Sequence, residues 1–263
     1  MSLTVNESNA TAAIYTSPAQ EFAPASAQPA RVSDSVARMF GAIPAPAGPA
    51  GIEERVLVAS EDSVTAGSHR DAYDLRLYRE PDGTYTLELD MKIEFDFQDG
   101  ADGLTWTAEE KQQYINDYVR TIENAWGGRT FTTDDGQQVT LDVNLDVSEE
   151  RGGLFGGVLD ALDPSENYNI QVTKVDEFTV SSVTRGVNTG NFDSLDLDPV
   201  DKGASDPQVA AAHEFGHMIG LPDEYNGNAG AEHVDDDDSI MNSGMDLRDR
   251  HTELVEDWVE DNL

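Results

Sequence analysis

His213-Glu214-Phe215-Gly216-His217-Met218-Ile219-Gly220-Leu221-Pro222-Asp223 is the stretch on which the reading of this chain turns. Residues at i and i+4 of a helix lie one above the other on the same face, so His213 and His217 can offer two imidazole nitrogens to one metal ion. Glu214 then lies beside the ion rather than on it, where a carboxylate can serve as general base. The bland alternative is a pair of solvent-facing helix histidines, and with only five histidines in 263 residues that coincidence is uncommon. The chain has no cysteine, which leaves imidazole and carboxylate as the available metal donors and rules out disulfides.

Working outward, Ser205-Asp206-Pro207-Gln208 predicts the start of the helix, with proline in its first turn and the apolar Val209, Ala212, Phe215, Met218 and Ile219 following. Downstream lies Ser239-Ile240-Met241-Asn242. With these two segments in place the chain resembles the metzincin zinc peptidases, at motif level over Val209 to Asn242. The resemblance implies that Gly220 ends the helix in a sharp left-handed turn, that Asp223 is the third zinc ligand, and that Met241 belongs to a Met-turn beneath the metal. The plainer alternative for Met241 is a core methionine, and Met245 is a weaker substitute for it. Most metzincins carry histidine at the third ligand place, so Asp223 is a departure, similar to the snapalysin-like branch; a carboxylate oxygen is an acceptable zinc donor. His251, His233 and Glu224 compete with Asp223 for that place. Tyr225 is a candidate for steadying the reaction oxyanion, against a plain packing role. His69 has no metal-like context.

The rest of the chain supplies a scaffold. Ala72 to Arg79 and Thr84 to Phe97, joined by Glu80-Pro81-Asp82-Gly83, read as an antiparallel hairpin. In its second strand Tyr85, Leu87, Leu89, Met91, Ile93, Phe95 and Phe97 alternate with polar residues. Thr107-Ala108-Glu109-Glu110 is a capping box opening a long helix with Tyr114, Ile115, Tyr118, Val119, Ile122 and Trp126 on one face, stopped at Gly127-Gly128. Gln138 to Val147 alternates again, a glycine-rich loop covers Arg151 to Gly157, and Tyr168 to Val187 reads as one or two more strands. A final amphipathic helix carries Leu254, Val255, Trp258 and Val259.

Composition sets the outer limits. Asp and Glu number 52 against 16 Lys and Arg, a formal charge of -36, which excludes ordinary nucleic-acid binding. Residues 1–51 hold three of the acids and two of the bases, with 13 Ala and six of the eleven Pro, so this stretch reads as a disordered tail. Within it Val32, Val36, Met39 and Phe40 have helical spacing. The acidity sits in the remainder and resembles that of proteins from high-salt organisms. Asp235 to Asp238 and the set Asp193, Asp196, Asp198 and Asp201 could bind calcium, but no specific calcium motif supports it and a solvated loop is the commoner role. There is no recognisable signal peptide and no membrane span, so the expected location is the cytoplasm or export by another route.

These readings combine into an α+β, zincin-like expectation: a mixed twisted sheet with two long helices, and a small C-terminal lobe holding the Met-turn and a last helix. Residues 52–263 form the peptidase domain, with an upper lobe over 52–220 and a lower lobe over 221–263. The function expected is zinc-dependent endopeptidase, in which His213, His217 and Asp223 hold one zinc ion and Glu214 takes a proton from the attacking water. The protein or peptide substrate is expected to lie along an edge strand within Tyr168 to Val187. Two rival readings stand beside it: a catalytically silent zinc-binding module, and a protease carried as secreted or injected cargo by a delivery partner that recognises the tail.

Overall fold

Tyr85–Gln98 (β3), the strand with the cleanest alternation in the sequence, is the spine of an eight-stranded mixed sheet. The computed structural model describes residues 54–150, 167–184, 186–225 and 233–263. The tail with Val32, Val36, Met39 and Phe40, and the glycine-rich loop Arg151 to Gly157, lie outside them.

One edge of β3 runs parallel to Gln138–Glu149 (β5) from Tyr85↔Val139 to Phe95↔Glu149. Its other edge is shared. The first half pairs antiparallel with His69–Arg79 (β2), and the second half, from Ile93↔Tyr168 to Gln98↔Thr173, pairs parallel with Tyr168–Thr173 (β6). Beyond β5 lies the short Arg129–Thr132 (β4). Beyond β6 come Thr189–Asp193 (β8), parallel to it, and Ser182–Thr184 (β7), antiparallel to β8 and free on its outer side within the sheet order.

Two expectations need correction. The sheet begins one strand earlier than the sequence suggests, because Val56–Ala66 (β1) pairs antiparallel with β2 through three register shifts. Those irregularities, and mostly exposed residues, erase the period-two pattern by which strands are recognised. The second long helix is also not found. Gln208 and Val209 form a two-residue strand (β10) against Pro199–Val200 (β9), and the helix proper is the nine-residue Ala210–Met218 (α2). Extended pairing there satisfies the backbone that the proline-led turn was expected to satisfy.

Ala108–Trp126 (α1) matches its sequence reading closely. Thr107 Oγ1 accepts from Glu110 N at 3.2 Å while Thr107 N donates to Glu110 Oε2 at 2.8 Å, closing the capping box. Tyr114, Tyr118, Ile122 and Trp126 are buried, and Phe95 of β3 meets Tyr114 and Tyr118 edge-on. Helix α1 thereby packs against the sheet and also against α2. The last helix, Glu253–Asn262 (α3), buries Val255 and Val259, and Trp258 Nε1 donates to Glu61 Oε2 of β1 at 2.6 Å. No helix among the described residues is long and apolar enough to cross a membrane.

Candidate metal centre

Helix α2 is fixed at both ends and along its back. At its start, Gln208 is fully buried: its Oε1 accepts from Lys202 Nζ at 2.6 Å, and its Nε2 donates to the carbonyls of Asn242 (2.9 Å) and Ile240 (3.2 Å). Ala211 N donates to the Asp196 carbonyl at 3.1 Å, tying the first turn to the loop after β8. Along the back, Trp126 Nε1 donates to the Ala212 carbonyl at 3.0 Å. Gly216 is where Met241 presses in: a Cβ on Gly216 would stand 2.2 Å from Met241 Sδ and 3.1 Å from Trp126 Cζ2. Helix α2 stops at Met218, whose carbonyl accepts from Tyr168 OH at 2.6 Å. Gly220 follows with φ +99°, a backbone that L side chains rarely adopt, and a Cβ there would lie 2.9 Å from the Ala66 carbonyl carbon.

The chain doubles back from this turn and brings Asp223 under the helix. Asp223 Oδ1 lies 3.3 Å from His213 Nε2 and 3.1 Å from His217 Nε2. The other ring nitrogens are committed elsewhere, His213 Nδ1 to the Ile240 carbonyl at 2.7 Å and His217 Nδ1 to the Leu221 carbonyl at 2.8 Å. A carbonyl only accepts, so each Nδ1 carries the proton and each neutral ring turns its Nε2 lone pair toward Asp223. Three electron-pair donors facing one another are favourable only around a cation. The alternative, two imidazolium rings with centroids 4.9 Å apart, places like charges side by side in a buried site. Ligand atoms on a tetrahedral zinc at ~2.0–2.1 Å stand ~3.3 Å from each other, which is the spacing seen here, and the carbonyl bonds to Nδ1 are the usual outer support of zinc-bound imidazole. The donor set fits zinc.

Glu214 stands beside this trio. His213, Glu214 and His217 offer donor atoms all within 4.8 Å of one another, the only such group among the described residues. Glu214 is buried, its Oε2 has no hydrogen-bond partner among them, and the Val183 N–H of β7 bonds the carboxylate. Burial raises its pKa, against the lowering pull of His213 and His217. Tyr225 stacks on His213 with centroids 6.3 Å apart; burial and the neighbouring Asp223 charge, with a hydrogen bond to it, push its phenol up to about 12.

The remaining candidates are placed elsewhere. His251 Nδ1 accepts from Arg248 N at 3.0 Å, and its Nε2 faces Glu224 Oε1 at 3.2 Å. Burial lowers His251 to about 4, so the ring is neutral near pH 7. Glu224 is clasped by Arg250 at 2.6 and 2.8 Å and by Ser239 Oγ at 2.6 Å; these bonds outweigh its burial and hold it at about 2. This ion-paired unit ties the segment after Asp223 to the Met241 turn, through Glu224 N donating to the Met241 carbonyl at 2.9 Å. His233 is half-buried, and its carbonyl accepts from Asp236 N at 2.9 Å. In the acidic run Asp236 pairs with Arg248 and Arg250, and Asp238 Oδ1 accepts from Ser205 N, so these carboxylates are used in holding loops together. Asp193 likewise accepts from Thr179 N and Leu195 N.

All of this opens onto a polar cleft of about 470 Å³. Glu214, His217, Asp223 and Tyr225 line it together with Ser181 to Val183 and with Gly67, Ser68 and His69 of the β1–β2 turn. Sequence reasoning missed the last three and Gln208. Their signal is purely spatial, because a turn 150 residues upstream has no spacing relation to the helix.

The family model described as immune inhibitor A peptidase M6, catalytic domain, matches residues 93–254. No individual curated protein matches the chain. Because the match covers more than half of the 263 residues and contains the buried His-Glu-His group, the chain belongs to the M6 peptidase family and is a zinc metalloendopeptidase.

Proposed function

We propose that His213, His217 and Asp223 are the three protein ligands of the zinc ion and that Glu214 is the general base. The domain is then of the metzincin type, with Gly220 as its helix-ending turn, Met241 as its Met-turn methionine, and a cleft between an upper lobe, 52–220, and a lower lobe, 221–263. The single observation carrying the assignment is the convergence of two Nε2 lone pairs on Asp223 Oδ1 at 3.1 and 3.3 Å, with both Nδ1 atoms donating to carbonyls.

A bound zinc ion supplies Lewis acidity toward the scissile carbonyl and toward the attacking water. The chain does the rest. Val183 N–H holds the Glu214 carboxylate, and Oε2, without a hydrogen-bond partner among the described residues, is the oxygen that takes the water's proton and returns it to the leaving amine. The peptide lies extended along the outer side of β7, whose main chain can bond it as another strand while the lining Ser181, Ser182 and Val183 contact it. Tyr225, bonded to Asp223 and half-exposed in the cleft, is placed to donate to the oxyanion.

Glu214→Gln tests the assignment. The variant should retain one zinc per chain and lose about 10²–10⁴-fold in kcat on a casein-type substrate. Full activity in the zinc-loaded variant would remove Glu214 from its role, whereas loss of zinc would recast it as a ligand. Asp223→Ala should instead lower zinc content itself, measured by elemental analysis after dialysis.

A further inference from the structure

We infer that Phe178 and Val180 prolong the substrate edge of β7 as an apolar ledge, an extension that rests on reading β7 as the edge along which the peptide lies. The peptidase then favours substrates carrying an apolar side chain roughly three residues from the scissile bond.

Val180 is 89% exposed and Phe178 is 40% exposed, and they stand immediately ahead of Ser181, Ser182 and Val183, which line the cleft. Single exposed apolar residues are ordinary, but this pair is held in place from beneath. Thr179, between them, donates to Asp193 Oδ2 through its N–H at 2.7 Å and through Oγ1 at 2.8 Å, and Ser181 Oγ donates to Asp196 Oδ2. Asp193, at the end of β8, and Asp196, in the loop after it, are both buried. Val175 N donates to Ser194 Oγ at 3.0 Å, which ties down the start of the segment. Val183 packs on the core, whereas Ser182 and Thr184 are exposed. Thr179, Ser181 and Val183 thus turn inward, while Phe178, Val180, Ser182 and Thr184 turn outward with the period of a strand. The outer face of β7 therefore continues back to Phe178.

A side chain as exposed as Val180 adds almost nothing to the fold by being apolar, so packing does not account for valine at this position. Asp176 and Glu177 just upstream are exposed as well, and the apolar pair interrupts an otherwise polar, carboxylate-rich surface. Contact with an apolar group of the substrate would take both side chains out of water. The register follows from β7 itself. Val183 N–H bonds the Glu214 carboxylate, which places Val183 beside the reacting bond. Val180 comes three residues earlier, ~10 Å along an extended chain, and a peptide paired with β7 advances at the same rise. Its side chain at that distance from the scissile bond meets Val180, with Phe178 flanking it.

The test is cleavage of a peptide library in which each position flanking the scissile bond is varied among Leu, Ser, Asp and Lys, with kcat and KM measured separately. Wild type should favour Leu over Ser at one position roughly three residues out, through a lower KM, and Val180→Ser should reduce that preference roughly fivefold, as expected for one apolar contact. Val180→Asp should lower kcat/KM for Leu and raise it for Lys at that position alone. Both variants should melt as wild type does, because the side chain is exposed. Leu57→Ser removes an exposed apolar residue from β1, at the opposite end of the sheet order, and should leave every preference unchanged. Wild-type preferences at all positions in both Val180 variants, or an equal loss on every peptide, would overturn the proposal. Peptides N-methylated at single backbone amides other than the scissile one test the β7 reading separately, since strand pairing requires slower cleavage at particular methylated positions. Such slowing with unaltered preferences in the Val180 variants would keep the strand pairing and remove the ledge. No slowing at any position would remove both.

Discussion

Gly216, the fourth residue of the five-residue metal motif, is there for packing rather than for chemistry. Met241 Sδ occupies the space where a side chain would begin, 2.2 Å from a built Cβ, with the Met241 methyl at 2.9 Å and Trp126 behind it. Met241 is itself fully buried, and its carbonyl anchors Glu224 N, one residue beyond the proposed third ligand. A methyl at position 216 must therefore push the thioether, and with it the turn that sets Asp223. Gly216→Ala gains helix propensity of about 1 kcal/mol, yet overpacking of a filled core costs about 1–3 kcal/mol, so the net change should be destabilising. The expected outcome is a lower melting temperature together with weaker zinc retention, and Gly216→Ala with Met241→Ala should recover part of the melting temperature. A single variant that melts higher than wild type and keeps its zinc would show that Met241 can move freely.

At the scale of elements, the loop after β8 joins the helix carrying His213 and His217 to β7, the edge strand proposed to bind the peptide. Asp196 is wholly buried; its carbonyl takes Ala211 N from α2, and its Oδ2 accepts from Ser181 Oγ, just before the edge strand β7, and from Asp193 N. Its Oδ1 has no hydrogen-bond partner among the described residues. Burial raises its pKa from 3.8 to about 7, opposed by the bond from Ser181 and assisted by the charges of Asp193 and Glu214; Tyr114 and Tyr118 of α1 also feel its charge. The folded chain thus binds a proton that the unfolded chain releases near its ordinary value. Stability from this group is complete below about pH 4 and is lost as pH rises through about 7. Asp196→Asn keeps the acceptor for Ser181 without the charge, so its melting temperature relative to wild type should climb between pH 5 and 8. A difference that stays flat over that range would mean Asp196 is ionised throughout.

The same elements show what sequence can and cannot carry. Helix α1 was legible down to its capping box because cap, apolar face and stopping glycines are all local. The pairing of His213 with His217 was legible because helical geometry fixes i and i+4. The start of α2 was not, since Gln208 belongs to a two-residue strand whose partner and whose carbonyl acceptors, Ile240 and Asn242, are distant in sequence. β1 was not, because an edge strand with exposed faces and register shifts has no period to read. His69 was not, since only the fold brings a hairpin turn to the end of the metal-binding helix.

For the molecule as a whole, charge is the dominant unbalanced force. Sixteen bases cannot neutralise 52 acids, and several of the bases are already shared, with Arg248 contacting both Asp236 and Asp246 and Arg250 contacting both Glu224 and Asp236. Most remaining carboxylates repel one another across the surface, a cost borne by the compact state far more than by the expanded chain. Screening shortens from about 8 Å at 0.15 M to about 3 Å at 1 M salt, so added salt should relieve the folded state first. The exposed ion pairs it weakens contribute little each. Melting temperature should therefore rise by several degrees from 0.05 to 2 M KCl, and activity at fixed temperature should persist longer at the high end. Sucrose at matched osmolality separates the causes, because it strengthens burial without screening charge. A rise with KCl much larger than with sucrose assigns the effect to repulsion among carboxylates. Equal rises would assign it to preferential exclusion, and a fall with KCl would mean that the ion pairs around Glu224 and Asp236, rather than the net charge, set the stability of the fold.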